Sequence, residues 1–357
     1  MAEILGLGLS HYPPLCTSDE KMGWLIERTL KDPGIPADAK DSAQWPTEMQ
    51  AEWGNDRGAA AAAKHRAALV ENFVRVRQAL DQFKPDVVVI WGDDQYENFK
   101  EDIVPAFSIL AYDDIDLYPW RHAQQTAGMG EGRPNVWNEG PDKHYRIRGN
   151  RAIAKYFASK LIESNIDVAY AYKPLHHESL AHAFTNAILY LDYERKLGWD
   201  YPTICFPVNC YGKSVICARG SMAPFGKEMD FDPPSPSPAR LMEVGRATAR
   251  IFRDSPWRVA LIASSSWSHA FLVDHTWHLR PDTEADRRLY KAMTSGDYQQ
   301  WQNTSLSAFE HAGQQEVLNW CALLGAMQEI GAELKWSDFV ETHTFNSNKV
   351  FAVYNSK

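Results

Sequence analysis

The stretch Val87-Val88-Val89-Ile90-Trp91-Gly92-Asp93-Asp94-Gln95-Tyr96-Glu97-Asn98-Phe99 constrains the fold more than any other part of the chain. Four consecutive β-branched residues without polar alternation predict a strand covered on both faces, as in a parallel sheet between helices. The strand then runs directly into carboxylates and amides. That position, just past the carboxyl end of a strand, is where open α/β sheets hold their ligands. Gly and Asp are also ordinary turn formers, so a single strand end of this kind is explained equally well as a turn.

Other strands end the same way. Residues 3–9 predict a short strand that runs into Ser10-His11 and is stopped by Pro13-Pro14. The strand over 167–173 leads to His176-His177, and the strand over 258–264 leads to Ser268-His269. Segments rich in helix formers, such as 56–83 and 150–165, alternate with these strands. The expected fold is α/β: a mixed, mostly parallel sheet covered by helices, with the site at the carboxyl ends of the strands. The chain reads as one domain over residues 1–357. The aromatic segment 113–149, with Trp120, His122, Trp137 and His144, is expected to form a lid, and the Pro-dense 232–238 a surface linker.

Composition narrows the function classes. Lys and Arg total 37 against 46 Asp and Glu, and a formal charge of −9 opposes any phosphate-tracking surface, so no nucleic-acid partner is expected. No stretch has the apolar length to span a bilayer, and the start lacks a basic leader with an apolar core; a soluble, cytoplasmic protein without a membrane partner is the expectation. The five cysteines form no CxxC pair, which argues for buried thiols rather than disulfides or a zinc ribbon. GxGxxG, Walker A and GxSxG motifs are absent. The aromatic content points to a homo-oligomer or a partner subunit.

Four strand ends therefore present His11, Asp93-Asp94-Gln95, His176-His177 and Ser268-His269. A lone histidine near a strand end is usually a hydrogen-bonded structural residue. Four such groups on one sheet edge are costly to bury unless they bind something. Imidazoles and carboxylates from separate segments, without thiolates, suit iron(II), manganese or zinc with open coordination positions. His275 and His278 lie one helical turn apart and read as surface residues. Glu284, in Pro281-Asp282-Thr283-Glu284, sits in the first turn of a helix, where the dipole alone favours an acid by about 0.3–1 kcal/mol.

In order and spacing, "GLGLSHYPPL", "VVVIWGDDQYENF" with "VPAFSIL", "HHESLAHAF", "ALIASSSWSH", "TEADRRLY" and "EVLNWCALLGAM" resemble the class III extradiol ring-cleavage dioxygenases of the protocatechuate 4,5-dioxygenase type. The "GDDQ" and "PAF" blocks look most similar to the branch that includes 3-O-methylgallate dioxygenases. The resemblance covers most of the chain. It implies iron(II) held by two histidines and a glutamate, with His11 matching the first histidine and Glu284 the glutamate. His177 matches the acid/base histidine, with His176 and His182 as close alternatives, and His176, His269 and Asp94 fall among the substrate contacts. The second histidine ligand is replaced by Gln95, so either Gln95 or Asp94 serves the metal or the site is altered. The expected activity is opening of a catechol-like or gallate-like ring with dioxygen. The alternative is a catalytically silent dioxygenase-like subunit that stabilises or regulates an active partner.

Overall fold

The computed structural model describes residues 2–123, 134–176 and 179–355. Among the described residues ten strands are formed: β1 Ile4–Leu9, β2 Val87–Asp93, β3 Ser108–Leu110, β4 Asp114–Leu117, β5 Tyr145–Arg148, β6 Ala169–Ala171, β7 Thr203–Val208, β8 Val259–Ser264, β9 Glu333–Val340 and β10 Lys349–Asn355. Eight make one sheet in the order β6-β3-β7-β2-β8-β1-β10-β9, and β4 and β5 form a separate antiparallel ribbon. The central strands β7, β2, β8 and β1 are mutually parallel, while β10 and β9 add antiparallel at one side. This is the mostly parallel α/β sheet that the Val run predicts.

Every residue of β1, β2, β7 and β8 is buried. Alternation along β2 sends Val87, Val89 and Trp91 into one core and Val88 and Ile90 into the other, which is the period of two expected of a strand with both faces covered. The first core is closed by helices Arg151–Glu163, Pro238–Arg253 and Leu318–Glu329, and the second by Ala59–Phe83 and His182–Tyr190. Segment 232–238 does not separate two sheets. Ser235 donates to Cys210 O at 2.7 Å, and Ser237 caps the helix that starts at Pro238 by accepting from Arg240 N at 3.2 Å.

In the described part of 113–149, the indole of Trp120 donates to Glu139 (2.8 Å) and that of Trp137 to Tyr193 O (2.7 Å). The two rings lie 5.8 Å apart against the second core. The five cysteines are free thiols, and all but the half-buried Cys217 are buried. No helix among the described residues is long and apolar enough to cross a membrane.

Helices Pro238–Arg253 and Leu318–Glu329 touch backbone to backbone. A Cβ at Gly245 would lie 1.8 Å from Ala322 O, and one at Gly325 would lie 2.1 Å from Met242 O. A side chain here has to push the helices apart. Gly325→Val is therefore expected to cost about 3 kcal/mol, the upper end of ordinary overpacking, in urea unfolding; a loss below about 1 kcal/mol would contradict this account of the contact.

Candidate metal centre

The parallel register sets the C-terminal edge on which the site is built. Leu9 and Gly92 both pair with Ser264, so His11, Asp93 and the segment after β8 leave the sheet at one level. The polar stretch after β2 has a local role as well. Asp94 accepts from the backbone N–H groups of Glu97 (2.9 Å) and Asn98 (3.0 Å), which closes the turn. Asn98 accepts from Ala181 N and Glu97 from His182 N, capping the helix His182–Tyr190. Much of the polarity after β2 thus serves to dock this helix, and the docking brings His182 to the sheet edge.

His11, Asp93 and His182 are buried and offer ligand atoms that all lie within 4.8 Å of one another. The His11 and His182 rings meet edge to face at 5.0 Å between centroids. His11 Nδ1 lies 3.2 Å from Ser264 Oγ, whose own proton goes to Ala183 O at 2.7 Å. Ser264 Oγ therefore accepts, His11 Nδ1 donates, and the His11 Nε2 lone pair is left facing inward. It faces Asp93 Oδ1 at 3.8 Å and Glu316 Oε2 at 3.7 Å. Three groups that can donate electron pairs thus converge, and a cation fits that arrangement.

Electrostatics follow from burial. Desolvation, and then the charge of Glu97, raises Asp93 to about 6 against the opposing pull of His182. Glu316 is pushed up by burial and by Asp93, although Tyr211 donates its hydroxyl to Oε1 and Ser266 donates its N–H to Oε2 at 3.1 Å. His11 is pushed down by burial, by His182 and by His269. Burial alone would also depress His182, but the hydrogen bond and charge of Glu97, with Asp93 and Glu316, override it and raise His182 to about 10. His269 is lowered to about 3 by burial and by the charge of Lys349. Its Nε2 lies 3.2 Å from Glu316 Oε1, and its Nδ1 has no partner among the described residues.

A cleft of about 260 Å³ opens over this cluster, walled by His182, His269, Tyr211, Glu316, Gln95 and Phe271, with Arg28 and Arg219 also in its lining. Its remaining lining includes Gly220–Met222 and Asn346–Ser347, and none of it comes from the described part of 113–149. Buried Lys349 ties down the strand-leading loop: its Nζ donates to Phe345 O at 2.9 Å and lies 3.6 Å from the Tyr12 ring centroid.

The expected site residues separate into two groups. His11, His182, His269 and Gln95 are brought together, although the amide of Gln95 is turned to Gly220 O at 2.7 Å. Glu284 is not at the centre. Its side chain is 71 % exposed and paired with Arg287, as helix-dipole placement alone explains, which corrects its reading as a ligand. Asp94 is consumed by its turn, and His176 is paired with Asp102 at 2.6 Å on the surface, so neither faces the cleft. His177 lies outside the described residues. Glu316, Glu97, Tyr211 and Ser264 were not singled out in the sequence. The signal for Glu316 was available, since Gln314-Gln315-Glu316 is a polar cluster immediately before an almost wholly apolar helix.

The Glu97–His182 pair yields a prediction with a definite sign. The folded-state value of His182 lies above the ordinary 6.5, so its stabilisation is fully present below about pH 6.5 and is lost as pH rises through about 10. Glu97→Gln is expected to cost about 3 kcal/mol in urea unfolding at pH 7, as breaking a buried pair does, with the deficit shrinking above pH 10. Equal stability of the two proteins at pH 7 would refute the charged pair.

Comparison with known proteins finds likeness to ring-opening dioxygenases. Over 216 residues the chain is 24 % identical to a 2,3-dihydroxyphenylpropionate/2,3-dihydroxicinnamic acid 1,2-dioxygenase of Photorhabdus laumondii subsp. laumondii, a match covering 59 % of this chain. The chain spans about half the length of that relative, 52 %. The family model described as the catalytic LigB subunit of aromatic ring-opening dioxygenase matches residues 231–352, a span that includes His269 and Glu316. Over those residues, the chain carries the domain of the catalytic LigB subunit family of aromatic ring-opening dioxygenases.

Proposed function

We propose that the protein is a metal-dependent dioxygenase that opens a catechol-like or gallate-like ring beside its vicinal hydroxyls, with iron(II) as the metal. The observation that carries this reading is the convergence of His11 Nε2, Asp93 and Glu316 beside a cleft of about 260 Å³ that Glu316 helps to line. The family match and the ring-cleaving relative support the same chemistry. Iron(II), when bound, supplies open coordination positions and the one-electron chemistry that dioxygen needs to react with a closed-shell aromatic ring.

The chain's own groups do the rest. His269 is neutral, because burial and Lys349 hold it down at about 3, so it accepts a proton from a substrate hydroxyl. Glu316 Oε1, 3.2 Å away, orients that imidazole and stabilises its charged form. His182, its Nδ1 held by Glu97, fixes one side of the cleft. Phe271 supplies an apolar wall for the ring. At the cleft, Arg28 has no acidic partner among the described residues, whereas Arg219 pairs with Glu101 at 3.3 Å. An anionic substituent on the ring, as in a gallate, fits Arg28.

The test is oxygen uptake by anaerobically reconstituted protein over a panel of catechols and gallates, with mass analysis of the product. Uptake that adds both oxygen atoms and disappears with a chelator is expected; no metal-dependent uptake across the panel would overturn the reading. On a carboxylated substrate, Arg28→Ala should raise KM about fivefold, roughly the 1 kcal/mol of an exposed ion pair, with kcat little changed. An unchanged KM would remove Arg28 from recognition.

A further inference from the structure

We propose that Asp93 is the metal donor contributed by β2, in place of the imidazole whose position is taken by Gln95, and that it shares the ion with His11 and His182. The assignment rests on the metal-dependent reading above and is independent of the substrate.

Four carboxylates near the centre differ in what their oxygens already do. Asp94 accepts from two backbone N–H groups, Glu97 accepts from His182 N and Nδ1, and Glu316 accepts from Tyr211 and Ser266. Asp93 is completely buried, and neither of its oxygens has a hydrogen-bond partner among the described residues. A carboxylate without hydrogen bonds in such a place, with only the charge of His182 nearby, is costly to bury, and a cation in contact with it would satisfy it.

The neighbouring histidines are oriented for one. Each has its Nδ1 engaged by an oxygen, His11 by Ser264 Oγ and His182 by Glu97, so that Nε2 is the nitrogen left to each ring for a ligand, the His182 Nε2 proton being released to solvent when a metal binds. Metal-binding histidines are held by outer partners in this way. With Asp93 the set is two imidazoles and one carboxylate, the composition of an open iron(II) or manganese(II) site.

Gln95 is committed elsewhere. Its amide nitrogen donates to Gly220 O at 2.7 Å, and Gly220 has φ +75° with room for no Cβ, since one would lie 2.4 Å from Gln95 O. Gln95 is therefore a strut that fixes the Gly220–Met222 wall of the cleft, and on this assignment its amide oxygen is not needed at the metal.

The experiment is titration of chelator-stripped protein with Mn(II), a probe stable to air, read by the paramagnetic resonance of free Mn(II) and by thermal melting with and without the ion. Wild type and Gln95→Ala are expected to bind about one Mn(II) per chain, as a single facial site requires. Asp93→Asn is expected to bind on the order of 100-fold more weakly. In chelator, Asp93→Asn should stay folded, because the carboxylate it replaces makes no hydrogen bond among the described residues. In Mn(II), wild type should rise and Asp93→Asn should not. Wild-type affinity in Asp93→Asn, loss of affinity in Gln95→Ala, or unfolding of Asp93→Asn in chelator would each overturn the assignment while leaving the metal reading standing. A wild type that binds neither Mn(II) nor iron(II) would remove both.

Discussion

The structure turns on one electrostatic problem, the burial of several electron-pair donors against one another at the carboxyl edge of β1, β2 and β8. His11 Nε2 faces Asp93 and Glu316, and the proton that might have separated them is committed to Ser264 on the other side of the ring. Such a cluster raises its carboxylates and depresses its unpaired imidazoles, as it does for Asp93 and His11. A bound cation would relieve all of these at once, and on the metal-dependent reading folding of the edge and occupation of the site would be coupled.

The surrounding architecture keeps the problem from spreading. Residues 94–98 satisfy themselves by closing a turn and capping helix His182–Tyr190, so only Asp93 of that acidic stretch is left unsatisfied. Glu97 does two things there: it caps the helix and holds the His182 ring. On the opposite side, Lys349 ties down the loop that carries Asn346 and Ser347 into the cleft and depresses His269. The polar groups nearest the cleft are thus fixed by partners that point away from it, which keeps them ordered without a ligand.

How much of this was legible can be judged residue by residue. His11 and His269 could be found because each follows a strand whose apolar run is unambiguous, and the carboxyl end of a parallel strand points to the site. Glu284 misled because a first-turn acid answers to the helix dipole as well as to a metal, and here it answers to the dipole and Arg287. His182 was recognised only through the resemblance, since its approach to the sheet depends on capping by Glu97 and Asn98 across more than 80 positions. Glu316 lies in a short 3-10 turn before its helix, over 200 residues beyond Asp93, and no local pattern announces that separation.

The sequence by itself determined the alternation of buried strands with helices and the placing of polar residues at strand ends, because both follow from periodicity and local turn chemistry. Only the tertiary structure decided which of those polar residues face one another. Asp93 and Asp94 are adjacent carboxylates with nearly equal local prospects. One step along a chain that alternates sides sends the first to the centre and the second into its own turn. The β7-β2-β8-β1 order then sets β8 between β1 and β2, bringing their ends to one level and making His11 the neighbour of Asp93. That order is a property of long-range strand pairing, which no short stretch of sequence encodes.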